Sequence, residues 1–201
     1  YTSLIGSYTL NFDEVSLDEN QFFSDRLSPP NLTCDPLLAG RYLCEAVGKR
    51  TSSILGVTLA YDSLDSRLRP TRGRSASITG EFAGLGGSVK YARVRARAAQ
   101  YWPLGSGFIF SVQGEGGAIK ALGNDRVQLT DRFFLGEPQF RGFDIRGVGP
   151  RVLRQPIIAD PDSPDPANPL PLVVTERERV SDDALGGNFY YLGRAEIEIP
   201  L

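Results

Sequence analysis

Histidine is absent from the 201 residues, and so is methionine. The first absence excludes a Ser-His-Asp triad and any His-ligated metal. The second, with no signal peptide at Tyr1, is expected of an internal piece of a longer polypeptide. Long apolar runs are also missing, since none approaches the roughly 18 residues of a membrane helix. Neither sign of charge dominates. The 22 Lys and Arg against 24 Asp and Glu leave a net charge of -2, which gives no reason to expect nucleic acid as a partner. Cysteine is scarce, with Cys34 and Cys44 close together in a Pro-containing loop. Their spacing suggests a local disulfide and hence an oxidising compartment, with two free thiols as the alternative. A zinc site is not expected, because two thiolates without histidine leave its coordination shell half empty.

What the chain does have is glycine (22), proline (14) and a repeated period of two. From Ser3 to Asp13, Leu4, Gly6, Tyr8, Leu10 and Phe12 share one face, and Ser3, Ser7, Thr9, Asn11 and Asp13 the other. That alternation predicts a strand. The same pattern predicts strands over Ser52–Asp62, Arg74–Ala83, Lys90–Tyr101, Phe108–Gly117 and Gly187–Ile199. Between them, Glu19–Arg50 reads as a loop, Asp65–Gly73 as a turn, and Gly84–Gly87 and Pro103–Gly107 as tight reversals. The longest connection runs from about Ala121 to Leu185 and includes a Pro/Asp-rich segment, Ala159–Pro171, that is too polar for a strand.

These strands are about the length a tilted strand needs to cross a bilayer. Their connections put long loops at one rim and short turns at the other, the pattern of an outer-membrane barrel. A soluble β-sandwich is the alternative. Gly80, Ala92, Ala96 and Ala98 would fill a sandwich core poorly but suit a lipid-facing surface, while Arg93, Arg95 and Arg97 in a row suit a wide, wet lumen. Phe12, Phe82, Tyr101, Trp102, Phe108 and Phe189 fall near strand ends, as in an aromatic girdle. The expected fold is therefore all-β: a partial antiparallel transmembrane barrel over residues 1–201, with 121–185 as its long extracellular loop.

That loop carries Phe140-Arg141-Gly142-Phe143, an arginine set between aromatics with a glycine to allow a tight turn. Around it lie Asp131-Arg-Phe-Phe-Leu-Gly-Glu137, Ile145-Arg-Gly-Val-Gly-Pro150 and, later, Asp182-Asp-Ala-Leu-Gly-Gly-Asn188. With the Tyr61–Gly73 strand-turn-strand, these segments resemble the BamA family of outer-membrane barrel-assembly proteins, across essentially the whole chain. The resemblance implies about six of the family's sixteen strands, roughly the seventh to the twelfth, without the periplasmic repeats and the first and last strands. Residue 140 is Phe where the family usually has Val.

What the resemblance implies is an integral protein of the bacterial outer membrane that folds and inserts other β-barrels without ATP. Its expected partners are unfolded outer-membrane proteins, outer-membrane lipids, accessory lipoproteins and periplasmic chaperones. No cofactor and no enzymatic activity are expected. The motif loop is expected to enter the lumen, with Arg141 paired to Glu196 and with Glu198 and Glu115 as further lumen carboxylates. A TamA-like or two-partner secretion transporter shares the motif and is the nearer alternative; a soluble β-rich adhesin or binding domain is the more distant one. Asp160–Asp165 could hold calcium or be a mobile loop segment, and the Arg93-Arg95-Arg97 stripe could bind lipopolysaccharide phosphates or simply be solvated.

Overall fold

A computed structural model describes the chain except residues 25–29, 37, 124–125, 155–156, 160–163, 165–170, 174–180 and 201. The acidic run read as a possible calcium loop falls almost wholly outside the described residues. The strands in chain order are β1 (Thr2–Val15), β2 (Phe23–Ser24), β3 (Thr33–Cys34), β4 (Gly48–Asp62), β5 (Gly73–Gly87), β6 (Tyr91–Gly105) and β7 (Phe108–Ala121). They continue with β8 (Arg151–Arg154), β9 (Ile157–Ala159), β10 (Pro171–Val173), β11 (Ser181–Ala184) and β12 (Phe189–Glu198). Two short helices, α1 (Glu19–Phe22) and α2 (Arg41–Ala46), lie in the first long connection. The chain forms two compact units: Tyr1–Asp13, Lys49–Val127 and Asn188–Leu201 in one, Glu14–Gly48 and Gln128–Gly187 in the other.

The first unit is a six-stranded sheet in the order β1-β4-β5-β6-β7-β12. Every expected strand is present, and the alternation explains the pairing. In the β5–β6 register Ser77 faces Arg97, Thr79 faces Arg95 and Glu81 faces Arg93, so polar residues meet polar residues across the ladder. A slip of one residue would set each of them against an apolar side chain. The opposite face carries Leu4, Tyr8, Phe12, Ile78, Tyr191 and Ile197, all exposed, with Tyr191 at 79%. A water-soluble sheet would bury a face of this size, so the sandwich expectation fails and the membrane-strand reading holds.

Several strand ends lie further out than the sequence suggests. Five strands run 14 or 15 residues, beyond the ~9–11 that cross a bilayer. Gly84–Gly87 does not reverse the chain: β5 continues through it, and the reversal falls at residues 88–90. A register shift between Ser52 and Ile54 on β4 keeps Gly87 paired with Ser52. Likewise β6 runs through Pro103 to Gly105. The turn itself is Ser106-Gly107, with φ of 52° and 85°, the twist that matches a two-residue hairpin. Trp102, Phe108, Phe82, Phe12 and Phe189 sit exposed near the strand ends. Tyr101 does not join them: it lies opposite Ser111 on the polar face, where its hydroxyl accepts a bond from Gln113 Nε2 at 3.3 Å.

The β4–β5 turn is ordered by one carboxylate. Asp65 accepts bonds from the amides of Thr71 (2.9 Å) and Arg72 (3.2 Å) and from the Thr71 hydroxyl (2.5 Å). These donors, the Thr71 hydroxyl first, hold the Asp65 carboxyl well below its ordinary value of 3.8. A folded-state value below the unfolded one stabilises the turn above pH 3.8 and loses that contribution as pH falls through the folded value. A carbon-13 titration of Asp65 in the assembled barrel is expected to give a midpoint well under 3.8, and a midpoint at or above that value would refute the network.

Candidate functional site

The motif loop is not slack chain. In the second unit β8 and β11 pair antiparallel, Arg151 opposite Ala184 and Arg154 opposite Ser181. Arg151 locks this hairpin, donating from Nε to Asp182 Oδ1 at 2.6 Å and from Nη2 to the Asp182 carbonyl at 3.0 Å. Those contacts raise the Arg151 pKa further, the Asp182 hydrogen bond being the main cause. Nearer the ends of the loop, Phe133 bridges Gly187 and Leu135 bridges Val148.

Between these bridges the chain folds tightly around the motif. Phe140 and Phe143 stack with ring centroids 4.5 Å apart and planes 11° from parallel, so the two aromatics close a small turn that presents Arg141. Gly142 takes φ +87° at its apex, a conformation that suits glycine. Gly136 is required by crowding as well: an added Cβ would lie 2.2 Å from the Asp144 carbonyl oxygen. Arg146 lies over the Phe134 ring at 4.8 Å. The sequence shows the motif; the stack and its supports depend on contacts it does not display.

The first long connection is also built rather than loose. Cys34 and Cys44 are bonded, with Cα atoms 5.5 Å apart, joining β3 to α2. Asp35, only 2% exposed, accepts the Ser24 hydroxyl at 2.8 Å. Sequence periodicity misses α2 because six residues make too little helix to show one, and ties outside the helix hold it in place.

On the polar face of the sheet two of the three arginines of the stripe, Arg93 and Arg95, are paired. Glu81 binds Arg93 through Oε2 and Arg95 Nη2 through Oε1, the latter at 2.8 Å. Alternation along β5 puts Glu81 on this face, but only the register shows that it lies opposite Arg93. Arg97 stands opposite Glu115, without a hydrogen bond or ion pair between them among the described residues. Glu196 lies opposite Ser111. Glu198, at the end of β12, is engaged by Arg69 of the β4–β5 turn, whose Nε donates at 3.0 Å. Beside it Arg194 donates to Gln113 Oε1 at 2.7 Å, extending the Tyr101–Gln113 link across β6, β7 and β12. Thus the fold gathers Arg93 and Arg95 on Glu81, and Phe140 against Phe143. Arg141 and Glu196 belong to different units.

Comparison with known proteins agrees with this architecture. The Omp85 superfamily domain matches residues 1–201. The outer membrane protein assembly factor BamA of Neorickettsia risticii is 29% identical over 157 residues, covering 78% of this chain and 18% of that protein. A SAM50-like protein of Drosophila melanogaster is 32% identical over 112 residues, covering 55% of this chain and 25% of its own length. The chain thus spans about a fifth to a quarter of these relatives. The crystal structure of BamA from Haemophilus ducreyi lacking POTRA domains 1–3 superposes with a TM-score of 0.64 at 21% identity, over all of this chain and 34% of that one. A sheet with an exposed apolar face, a folded loop around Phe140–Phe143 and a match running from first residue to last together show that the chain belongs to the Omp85 superfamily, as a BamA-like partial barrel integral to the outer membrane.

Proposed function

We propose that this chain forms part of a BamA-type insertase, which folds β-barrel proteins and inserts them into the bacterial outer membrane without covalent chemistry. The observation that carries the reading is the motif loop. A stacked Phe140–Phe143 pair presents Arg141 from a self-supporting fold, in a chain matched along its full length by the superfamily. Relatives named as outer-membrane protein assembly factors support the same function. In this reading residues 1–201 are a single partial barrel domain and 121–185 its extracellular loop. The loop turns into the lumen, where Arg141 pairs with Glu196, and Glu115 adds to the negative field. The loop braces the barrel wall while a seam elsewhere in the complete barrel admits nascent strands. Clients are unfolded outer-membrane proteins, delivered by periplasmic chaperones and received with accessory lipoproteins. The reaction needs no cofactor.

Depleting the full-length protein in its host and quantifying several unrelated outer-membrane barrels tests this function. All of them are expected to fall together. If one exported protein falls while the barrels stay level, the protein is a transporter of the TamA or two-partner secretion kind, and the assembly role is wrong.

A further inference from the structure

The motif loop leaves and returns through a neck only a few residues wide. Phe133 and Gly187 exchange both backbone hydrogen bonds there, at 2.9 and 2.8 Å. Arg132, one residue before this bridge, reaches in two directions. Its Nη1 donates to the carbonyl of Leu185, on the returning end of the loop, at 3.1 Å. Its guanidinium also lies 5.2 Å from the centroid of the Tyr42 ring, which belongs to α2. One side chain therefore joins the outgoing chain, the returning chain and the first long connection.

The position of α2 depends on ties outside the helix. Its N-cap is Gly40, with no side-chain bond to the helix, and its length is far below the ~12–15 residues at which an isolated helix persists. The Cys34–Cys44 disulfide holds it to β3, and the turn leading into it hangs on the Asp35 carbonyl, which accepts Leu38 N at 3.0 Å and Ala39 N at 2.9 Å. Between α2 and the β8–β11 hairpin lies a cavity of about 340 Å³, with Tyr42, Leu43, Leu129, Val152 and Leu185 among its lining. α2 also meets the 129–131 turn, and the directional Tyr42–Arg132–Leu185 contacts carry its link on to the returning end of the loop.

We propose that Arg132 is a positioning residue that clamps the neck of the motif loop onto the disulfide-held α2, and that this clamp fixes the stance of Phe140-Arg141-Gly142-Phe143. The planar guanidinium is needed, because it must stack on a ring while donating sideways to a carbonyl. Breaking Cys34–Cys44 releases α2 and withdraws Tyr42, so the clamp is open to thiol reduction. The clamp itself rests on geometry alone; its importance for barrel insertion rests on the function proposed above.

The test uses the complete protein in lipid nanodiscs, with hydrogen exchange read at the Phe133, Leu185 and Gly187 amides. Arg132→Ala and Tyr42→Ala are each expected to speed these amides by on the order of tenfold, the effect of losing a charge-assisted hydrogen bond or the ring that orients it. Tyr42→Phe keeps the ring and is expected to match the parent, whereas Arg132→Lys lacks the plane and is expected to behave like Arg132→Ala. Amides of β5 to β7 should not change in any variant. Reducing the disulfide in the folded parent should reproduce the neck-specific acceleration, independently of whether a variant folds. Unchanged neck amides in Tyr42→Ala or after reduction would overturn the clamp. Insertion of a client barrel into liposomes gives the second readout, with Arg132→Ala several-fold slower and Tyr42→Phe normal. An opened neck with normal insertion overturns the positioning role. If Arg141→Glu also leaves insertion normal, the motif has no part in insertion; if the parent itself inserts no client, the insertase reading has failed.

Discussion

Replacing Glu81 by alanine is expected to destabilise the complete barrel by about 3–5 kcal/mol, the cost of breaking an enclosed ion pair from one side. The carboxylate is 14% exposed, its partners Arg93 20% and Arg95 41%. Losing Glu81 leaves two guanidinium groups side by side on one strand, the better buried of them without its counter-charge. Glu81→Gln keeps an acceptor and should cost less, because only the charge is lost. Urea unfolding of the barrel in lipid measures both. A Glu81→Ala penalty within about 1 kcal/mol would mean the cluster is no better than an exposed surface pair, and the lumen at this point is effectively bulk water.

The second large effect is expected at the motif. Under the proposed pairing, Arg141→Glu should abolish most barrel insertion, since a carboxylate set against Glu196 replaces attraction with repulsion. Glu196→Arg in the same chain should recover a large part of the activity, because the pair is then restored with its charges exchanged. Steady-state levels of outer-membrane barrels in cells carrying each variant provide the measurement. If both single variants and the double variant fold normally, as judged by heat-modifiable mobility, yet the double variant shows no recovery, the Arg141–Glu196 pairing is wrong and Arg141 has another partner.

The six long strands were readable because alternation is a local property. Leu4, Tyr8 and Phe12 show the outer face of β1 without knowledge of any neighbour. Strand ends were less readable. Gly84–Gly87 and Pro103 carry turn chemistry, but pairing resumes beyond the irregularity at Gly87↔Ser52 and runs through Pro103↔Ile109, so β5 and β6 continue past them. Partnerships depended on register, which the sequence does not display. Glu81 was visible as a polar-face residue, but its place opposite Arg93 follows from how β5 slides against β6. Arg69 and Glu198 are 129 residues apart and meet only because the β4–β5 turn and the end of β12 share a rim. The helix carrying Tyr42 left no periodic trace at six residues, so the Arg132 contact had no sequence signal beyond the nearby cysteines.

The links across the polar face also have a mechanical consequence. A sheet held by backbone ladders alone peels one strand at a time when its edge is pulled. Here Arg194 on β12 holds Gln113 on β7, Gln113 holds Tyr101 on β6, and Glu81 on β5 grips Arg93 and Arg95 of β6. Tension carried across these strands is therefore shared by the side-chain links as well as by the backbone ladders. Under load, β5, β6, β7 and β12 resist as one stiff plate.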